Sequence, residues 1–254
     1  MNKKTVLPYI KYLKLVLSLV VILSLWEVIA LIINDSFFLP RVSETFVSLI
    51  KIVVSGNFFK VVFTSFYRVF TGLLIGTVLG IFFAALCYKI DIVNTVLSPF
   101  ISLMKATPVA CIIVLLWIRL NYTQIAIFVV ILMVMPIIWQ NVYDGLNAID
   151  KSMLEVTAVF KLNRLQVLKA LMIPSVLSYL LPAIVTSVGL AWKAEIAAEI
   201  MTNSNIGRLI YDYKTVSYDT AAIFAWTVII VTLSVVFEKL SKYLFGRFEY
   251  VLKA

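Results

Sequence analysis

Two uncharged apolar stretches, Leu120 to Tyr143 and Ala170 to Trp192, stand on either side of a polar segment, Asp144 to Lys169. About 20 apolar residues, rising 1.5 Å each, cross the roughly 30 Å hydrocarbon core of a bilayer, so each stretch is long enough for a transmembrane helix. The segment between them carries Asp144, Asp150, Lys151, Glu155, Lys161, Arg164 and Lys169, and so cannot itself lie in lipid. Nor does it have the composition of a loose connector. From Asp150 to Phe160 it is rich in helix formers and free of Gly and Pro, with Leu154, Ala158 and Leu162 at i, i+4 and i+8. With Asp150 as N-cap, it reads as a short helix on the membrane surface. Such a helix is either a solvated loop with a weak Lys151–Glu155 pair or a surface that another protein grips.

A chain of 254 residues that is 63% hydrophobic and 14% charged, with a mean hydropathy of +1.05, is not a soluble domain. Its length allows one membrane domain. The net charge of +9 is spread between apolar runs without a basic patch, which fits topological anchors and gives no reason to expect a nucleic-acid partner. Histidine is absent, no G-x-x-x-x-G-K-[ST] occurs, and no nucleophile–base or metal-type cluster is spaced for chemistry. No catalytic residue, metal or resident cofactor is therefore expected. Cys87 and Cys111 fall in apolar runs and are expected as small hydrophobes, not as a disulfide.

The apolar runs give six spans, at about residues 15–33, 69–88, 92–118, 120–143, 170–192 and 220–237. The first is too long for a signal peptide and lacks a small-x-small cleavage pattern. Its Glu27 must find a partner, because an unpaired acid in lipid costs several kcal/mol. Between the first two spans, Val42, Phe46, Leu49, Ile50 and Val53 mark an amphipathic surface helix. Gly72, Gly76 and Gly80 make a small-residue stripe on the second span, suited to close packing within the fold and less to dimerisation. The third span is broken at Lys105-Ala106-Thr107-Pro108, where proline removes a helical hydrogen bond. Pro136 should kink the fourth. Six spans with basic ends place both termini and the 144–169 loop in the cytoplasm.

Several segments resemble one family. Glu155-Val156-Thr157-Ala158, followed by Ile173-Pro174, resembles the cytoplasmic "EAA" loop of ATP-binding-cassette (ABC) importer permeases. Here Val156 and Thr157 replace two alanines, and Lys161 stands where that loop has glycine. Leu39-Pro40, Ser65-Phe66-Tyr67-Arg68-Val69 with Gly72, Lys105-Ala106-Thr107-Pro108, and Leu190-Ala191-Trp192 through Ala197-Ala198-Glu199 are similar to successive motifs of the permeases for nitrate, sulfonates, taurine, bicarbonate or thiamine precursors. Gly189 and Gly207 also fit.

The resemblance implies an all-α integral membrane protein with a MetI-like bundle and a cytoplasmic coupling helix. It also implies a bacterial or archaeal plasma-membrane location. The expected partners are two ABC ATPase subunits, which bind the ATP, an extracytoplasmic substrate-binding protein and a second permease copy forming a homodimer. Glu155, Val156, Thr157, Ala158, Lys161, Leu162, Ile173 and Pro174 would contact the ATPase. Because glycine offers a left-handed turn and lysine does not, the helix is expected to run on past Lys161, making 150–164 one lever. Lys105, Pro108, Trp192, Lys193, Glu195 and Glu199 flank the presumed path. Lys193 and Glu199 have alternative uses, snorkelling to the interface or pairing within the fold. Lys105, Arg119 and Lys193 against Glu195 and Glu199 favour a small anion as substrate. A heterocycle stacked on Trp192 is the alternative, and a secondary transporter, which would need repeats and ion-binding residues, is a more distant one.

Overall fold

The computed structural model describes residues 3–253, with side chains described except at 3–12, 15, 151, 158 and 246–253. Among the described residues every regular element is helical: α1 (Lys3–Ile33), α2 (Val42–Val54), α3 (Phe58–Lys89), α4 (Asp91–Ala106), α5 (Val109–Trp117), α6 (Tyr122–Asn147), α7 (Lys151–Val159), α8 (Arg164–Val167), a π turn (Leu168–Met172), α9 (Ile173–Met201), α10 (Asn205–Thr215) and α11 (Thr220–Lys253). Among the described residues five helices are long and apolar enough to cross a membrane, or six if the bent pair α4–α5 counts as one span. Several helices outrun the apolar runs that announce them. The α3 helix starts at Phe58, well before Val69; α9 continues through Lys193–Glu199; and α11 takes in the basic tail.

The chain forms two compact units. The first comprises Met1–Phe59 and Ile210–Ile230. Here α1 is pinned to the turn that starts α2. Trp26 Nε1 donates to the Pro40 carbonyl at 3.0 Å, and Glu27 accepts the Val42 N–H at 2.8 Å. That amide is one of the unpaired donors at the start of α2, so Glu27 finds its partner in the helix N-terminus. Glu44 closes the same turn by accepting the Arg41 N–H at 3.0 Å. Trp26 also packs on Phe224 of α11, with ring centroids 5.6 Å apart.

The second unit comprises Lys60–Leu209 and Val231–Ala254. Its core joins α5, α6 and α9 through Ile113, Ile125, Val129 and Ala198, all at most 1% exposed. The glycine stripe of α3 lies against α6. A Cβ at Gly72 would sit 2.6 Å from Val130, at Gly76 3.1 Å from Val134, and at Gly80 2.8 Å from Ile138. The stripe is thus used for packing inside the fold, because only glycine leaves room for those branched side chains. Of the cysteines, Cys87 is buried and Cys111 is exposed, and both are free.

Candidate functional site

The polar segment folds as an arm between α6 and α9. Asp150 caps α7: its Oδ1 accepts the Ser152 N–H at 2.9 Å. That bond, with a second from the Ser152 hydroxyl, holds the carboxyl below the ordinary carboxylate range. A helix as short as α7 is marginal in water by itself, and its outer face is not one that water favours. Around the exposed Glu155 stand Val156, 47% exposed, Val159, 79%, and Phe160, 73%. Thr157 is half-buried and turns its hydroxyl back to the Leu154 carbonyl at 2.7 Å. The side chains of Ala158 and Lys151, and with them the Lys151–Glu155 pair, lie outside the described residues.

The expectation of a helix running past Lys161 is wrong. The α7 helix stops at Val159, and Lys161 takes a left-handed conformation with φ 50°. The Leu162 N–H closes the turn on the Thr157 carbonyl at 3.0 Å, the pattern of a Schellman cap with Lys161 in the glycine place. The cause lies two residues on. Asn163 starts a new helix, its Oδ1 accepting the Gln166 N–H and its own N–H donating to Gln166 Oε1, both at 2.8 Å. A helix continued through Lys161 would lose that reciprocal cap, worth about 1 kcal/mol or more. The left-handed lysine costs about 1–2 kcal/mol, and the cap with the closed turn offsets it. Leu162 therefore falls after the turn, not on the α7 face.

Beyond Asn163, α8, the π turn and α9 follow without a break, with Ile173 exposed and Pro174 in the first turn of α9. Behind the arm α6 and α9 meet closely. The Ser175 hydroxyl donates to the Gly145 carbonyl at 2.8 Å, and a Cβ on Gly145 would lie 3.2 Å from the Val176 Cα. The two helices carrying the arm are thus fastened at its base.

The predicted break in the third span is a bend of 97° between α4 and α5. Thr107 and Pro108 both adopt extended backbone, with ψ 127° and 129°, as the residue before a proline prefers. Pro108 is exposed there. Lys105, also exposed, donates to Gln140 Oε1 of α6 at 3.2 Å.

A third feature is a buried ionic node. Glu199 of α9 accepts from Arg68 Nη1 at 2.8 Å, Ser65 Oγ at 2.9 Å, Asn205 Nδ2 at 3.0 Å and the Ile206 N–H at 3.0 Å. Glu195, one turn earlier, lies 3.8 Å from the same Arg68 nitrogen. Arg68 also donates to Thr123 of α6 at 3.2 Å and stands over the Tyr122 ring. Both acids are 0% exposed and Arg68 3%. Gly207 lets α10 lie on the end of α9, since a Cβ there would strike the Glu199 backbone.

Comparison with known proteins decides what these parts belong to. Residues 76–250 match the family model described as the binding-protein-dependent transport system inner membrane component. The chain belongs to this family. It is the membrane permease subunit of an ABC importer, a multi-pass plasma-membrane protein and not an enzyme. Permeases of this family work with ATPase subunits and substrate-binding proteins. Among relatives, SsuC of Bacillus subtilis, a permease named for aliphatic sulfonate transport, is 25% identical over 213 residues, which cover 82% of this chain and 76% of that one. The nitrate import permease protein NrtB of Synechococcus elongatus is 26% identical over 218 residues, covering 81% and 76%. In fold, the permease is similar to a chain of an amino acid ABC transporter (TM-score 0.61, 18% identity, covering 74% of this chain and 90% of that one). It is also similar to a chain of the MetNI methionine ABC transporter, at TM-score 0.58 and 17% identity, covering 76% and 93%.

In the permease the residues expected on the path part company. Lys105, Pro108 and Lys193 are exposed, whereas Trp192, Glu195 and Glu199 are 0% exposed. Trp192 packs edge-on against Phe237 at 5.0 Å, so it offers no open face on which a heterocycle could stack. Sequence reasoning singled out neither Arg68 nor Asn205 for a role. The signal was present: two like-signed acids at i and i+4 in an apolar helix require a buried cation, and Arg68 follows a polar stretch that is in fact helical.

Proposed function

We propose that this permease provides the translocation path for small anions such as a sulfonate, nitrate or bicarbonate, and that α7 transmits the closing of partner ATPases to α6 and α9. The observation that carries the reading is the arm itself. It is a marginal helix presenting Glu155, Val156, Val159 and Phe160 outward, and its two flanking helices are joined at their base through Ser175 and Gly145. An exposed apolar face of this kind is an interface in want of a partner, and the fastened base turns a push on it into joint movement of both spans. Two permease copies with two ATPases, which bind the ATP, complete the transporter, and both termini of this chain lie in the cytoplasm. The path crosses the membrane among six spans, with α4–α5 counted as one.

Two things support an anionic substrate. The relatives are named for sulfonate, nitrate and bicarbonate transport. And Glu195 and Glu199, the acids set against Lys193 on the sequence, are buried with Arg68, while Lys105 and Lys193 stay exposed. A cation in a passage of low dielectric helps an anion shed water.

The test is uptake and ATP hydrolysis by the reconstituted transporter with its ATPase and binding protein. Glu155→Ala and Val159→Asp should lower uptake per ATP by about fivefold or more, the low end of a typical coupling free energy, with the permease still in the membrane. Wild-type coupling in both variants would refute the reading.

A further inference from the structure

The α4 helix meets α6 at two places far apart on α4 but adjacent on α6. Near its start, Asn94 Nδ2 donates to the Tyr143 hydroxyl at 2.9 Å, while the Ser98 hydroxyl donates to Asn94 Oδ1 at 2.8 Å. At its end, Lys105 donates to Gln140, whose amide in turn donates to both oxygens of Asp144 at 3.0 and 3.2 Å. At 1.5 Å per residue, Asn94 and Lys105 are about 16 Å apart along α4, while Gln140 and Tyr143 are only about 5 Å apart along α6. A helix running beside α6 would meet it in equal steps. Unequal steps of this kind fit an α4 that crosses α6 at a single turn and is held there at both ends. Tyr143 is itself fixed by stacking on Trp139, with centroids 5.4 Å apart and planes 6° from parallel, and Ile101 between the two ties is 1% exposed.

We propose that α4 is a crossbar fastened to the cytoplasmic turn of α6, and that Gln140 is the positioning residue through which movement of the α7 arm reaches the Thr107–Pro108 elbow. The turn Gln140–Asp144 lies just ahead of the arm, so whatever tilts α6 there carries both ends of α4 with it. The free joint is then the elbow, where two extended residues interrupt the helical hydrogen bonds. The Lys105–Gln140–Asp144 chain keeps the elbow in register with α6. This rests on α7 being the coupling element; the crossbar adds where the motion goes.

The experiment uses the reconstituted full transporter, with spin labels at Ser102→Cys on α4 and Asn147→Cys on α6. In the otherwise unchanged permease the label distance should be the same in nucleotide-free and ATP-trapped states. Gln140→Leu should make it differ between the states, and uptake per ATP should fall about three- to tenfold while hydrolysis continues. If Gln140→Leu does not accumulate in the membrane, Lys105→Met is read by the same label distance, and Lys105→Arg, which keeps a donor, should restore it. A label distance that already changes between states with Gln140 and Lys105 intact, or unaltered uptake per ATP in Gln140→Leu, overturns the crossbar. Failure of the coupling reading is separate: it shows as Glu155→Ala remaining coupled, whereas failure here leaves Glu155→Ala uncoupled and Gln140→Leu normal.

Discussion

Arg68 is the residue whose loss should damage this permease most. Its guanidinium is 3% exposed, 2.8 Å from Glu199 and 3.8 Å from Glu195. At an effective dielectric near 20, the Arg68–Glu199 pair attracts by about 6 kcal/mol. Desolvation of the two charges offsets most of that attraction. The net cost of removing one partner from a buried pair is about 3–5 kcal/mol, against a total stability of about 5–15 kcal/mol for a typical domain. Arg68→Met keeps the apolar stem and leaves little cavity, so the penalty is almost wholly that of a buried Glu199 carboxylate that has lost its cation but keeps its Ser65, Asn205 and Ile206 donors. Thermal unfolding of the detergent-purified protein should fall by about 6–20 °C, taking about 2–4 °C per kcal/mol. Converting both acids to glutamine in the Arg68→Met background should recover at least half of the loss. A shift within that of an exposed substitution such as Lys51→Met would refute the reasoning, as would failure of the triple variant to recover any stability.

Three further outcomes follow from the geometry. Lys161→Gly should relieve the left-handed strain and raise hydrogen-exchange protection of the α7 amides about two- to fivefold, after the entropy that glycine adds to the unfolded chain; lower protection would mean the turn is not left-handed. Gly72→Ala and Gly80→Ala should each destabilise the α3–α6 packing by about 1–3 kcal/mol and Gly76→Ala by less, because its Cβ has the most room; thermal unfolding of the three variants ranks them. Asp150, whose carboxyl is lowered by the Ser152 amide and hydroxyl, contributes capping that is complete at neutral pH and is lost as pH falls through its depressed value. The Ser152 amide resonance should titrate below the ordinary carboxylate range, and Asp150→Asn should abolish that titration.

Much of the architecture was written in the apolar runs. Length and charge marked the spans, and the Thr107-Pro108 pair marked the bend, because lipid leaves the backbone few alternatives to helix. The glycine stripe was legible for the same reason: small residues in a membrane helix have one common use. Legibility failed where a local choice was decided by something a few residues away. Lys161 has no propensity for a left-handed turn, and the reciprocal cap of Asn163 with Gln166 decided its conformation. At Glu199 the sequence left two readings open, lining the path or pairing within the fold, and could not name the partner, because Arg68 is more than a hundred positions away and only the fold brings it to Glu199 and Glu195. The helix ends were misread for a plainer reason. Polar residues at Phe58–Arg68 and Lys193–Glu199 looked like the ends of spans, but a buried node inside the protein satisfies part of each.

The central claim, that α7 is held by an ATPase, is tested most directly by contact. A photoreactive residue placed at Phe160, 73% exposed on the arm, should capture the ATPase subunit in the assembled transporter, whereas one at Phe82, 58% exposed on α3, should not. Capture from Phe160 alone is the predicted result. An assembled, ATP-hydrolysing transporter in which Phe160 captures no ATPase would contradict the account.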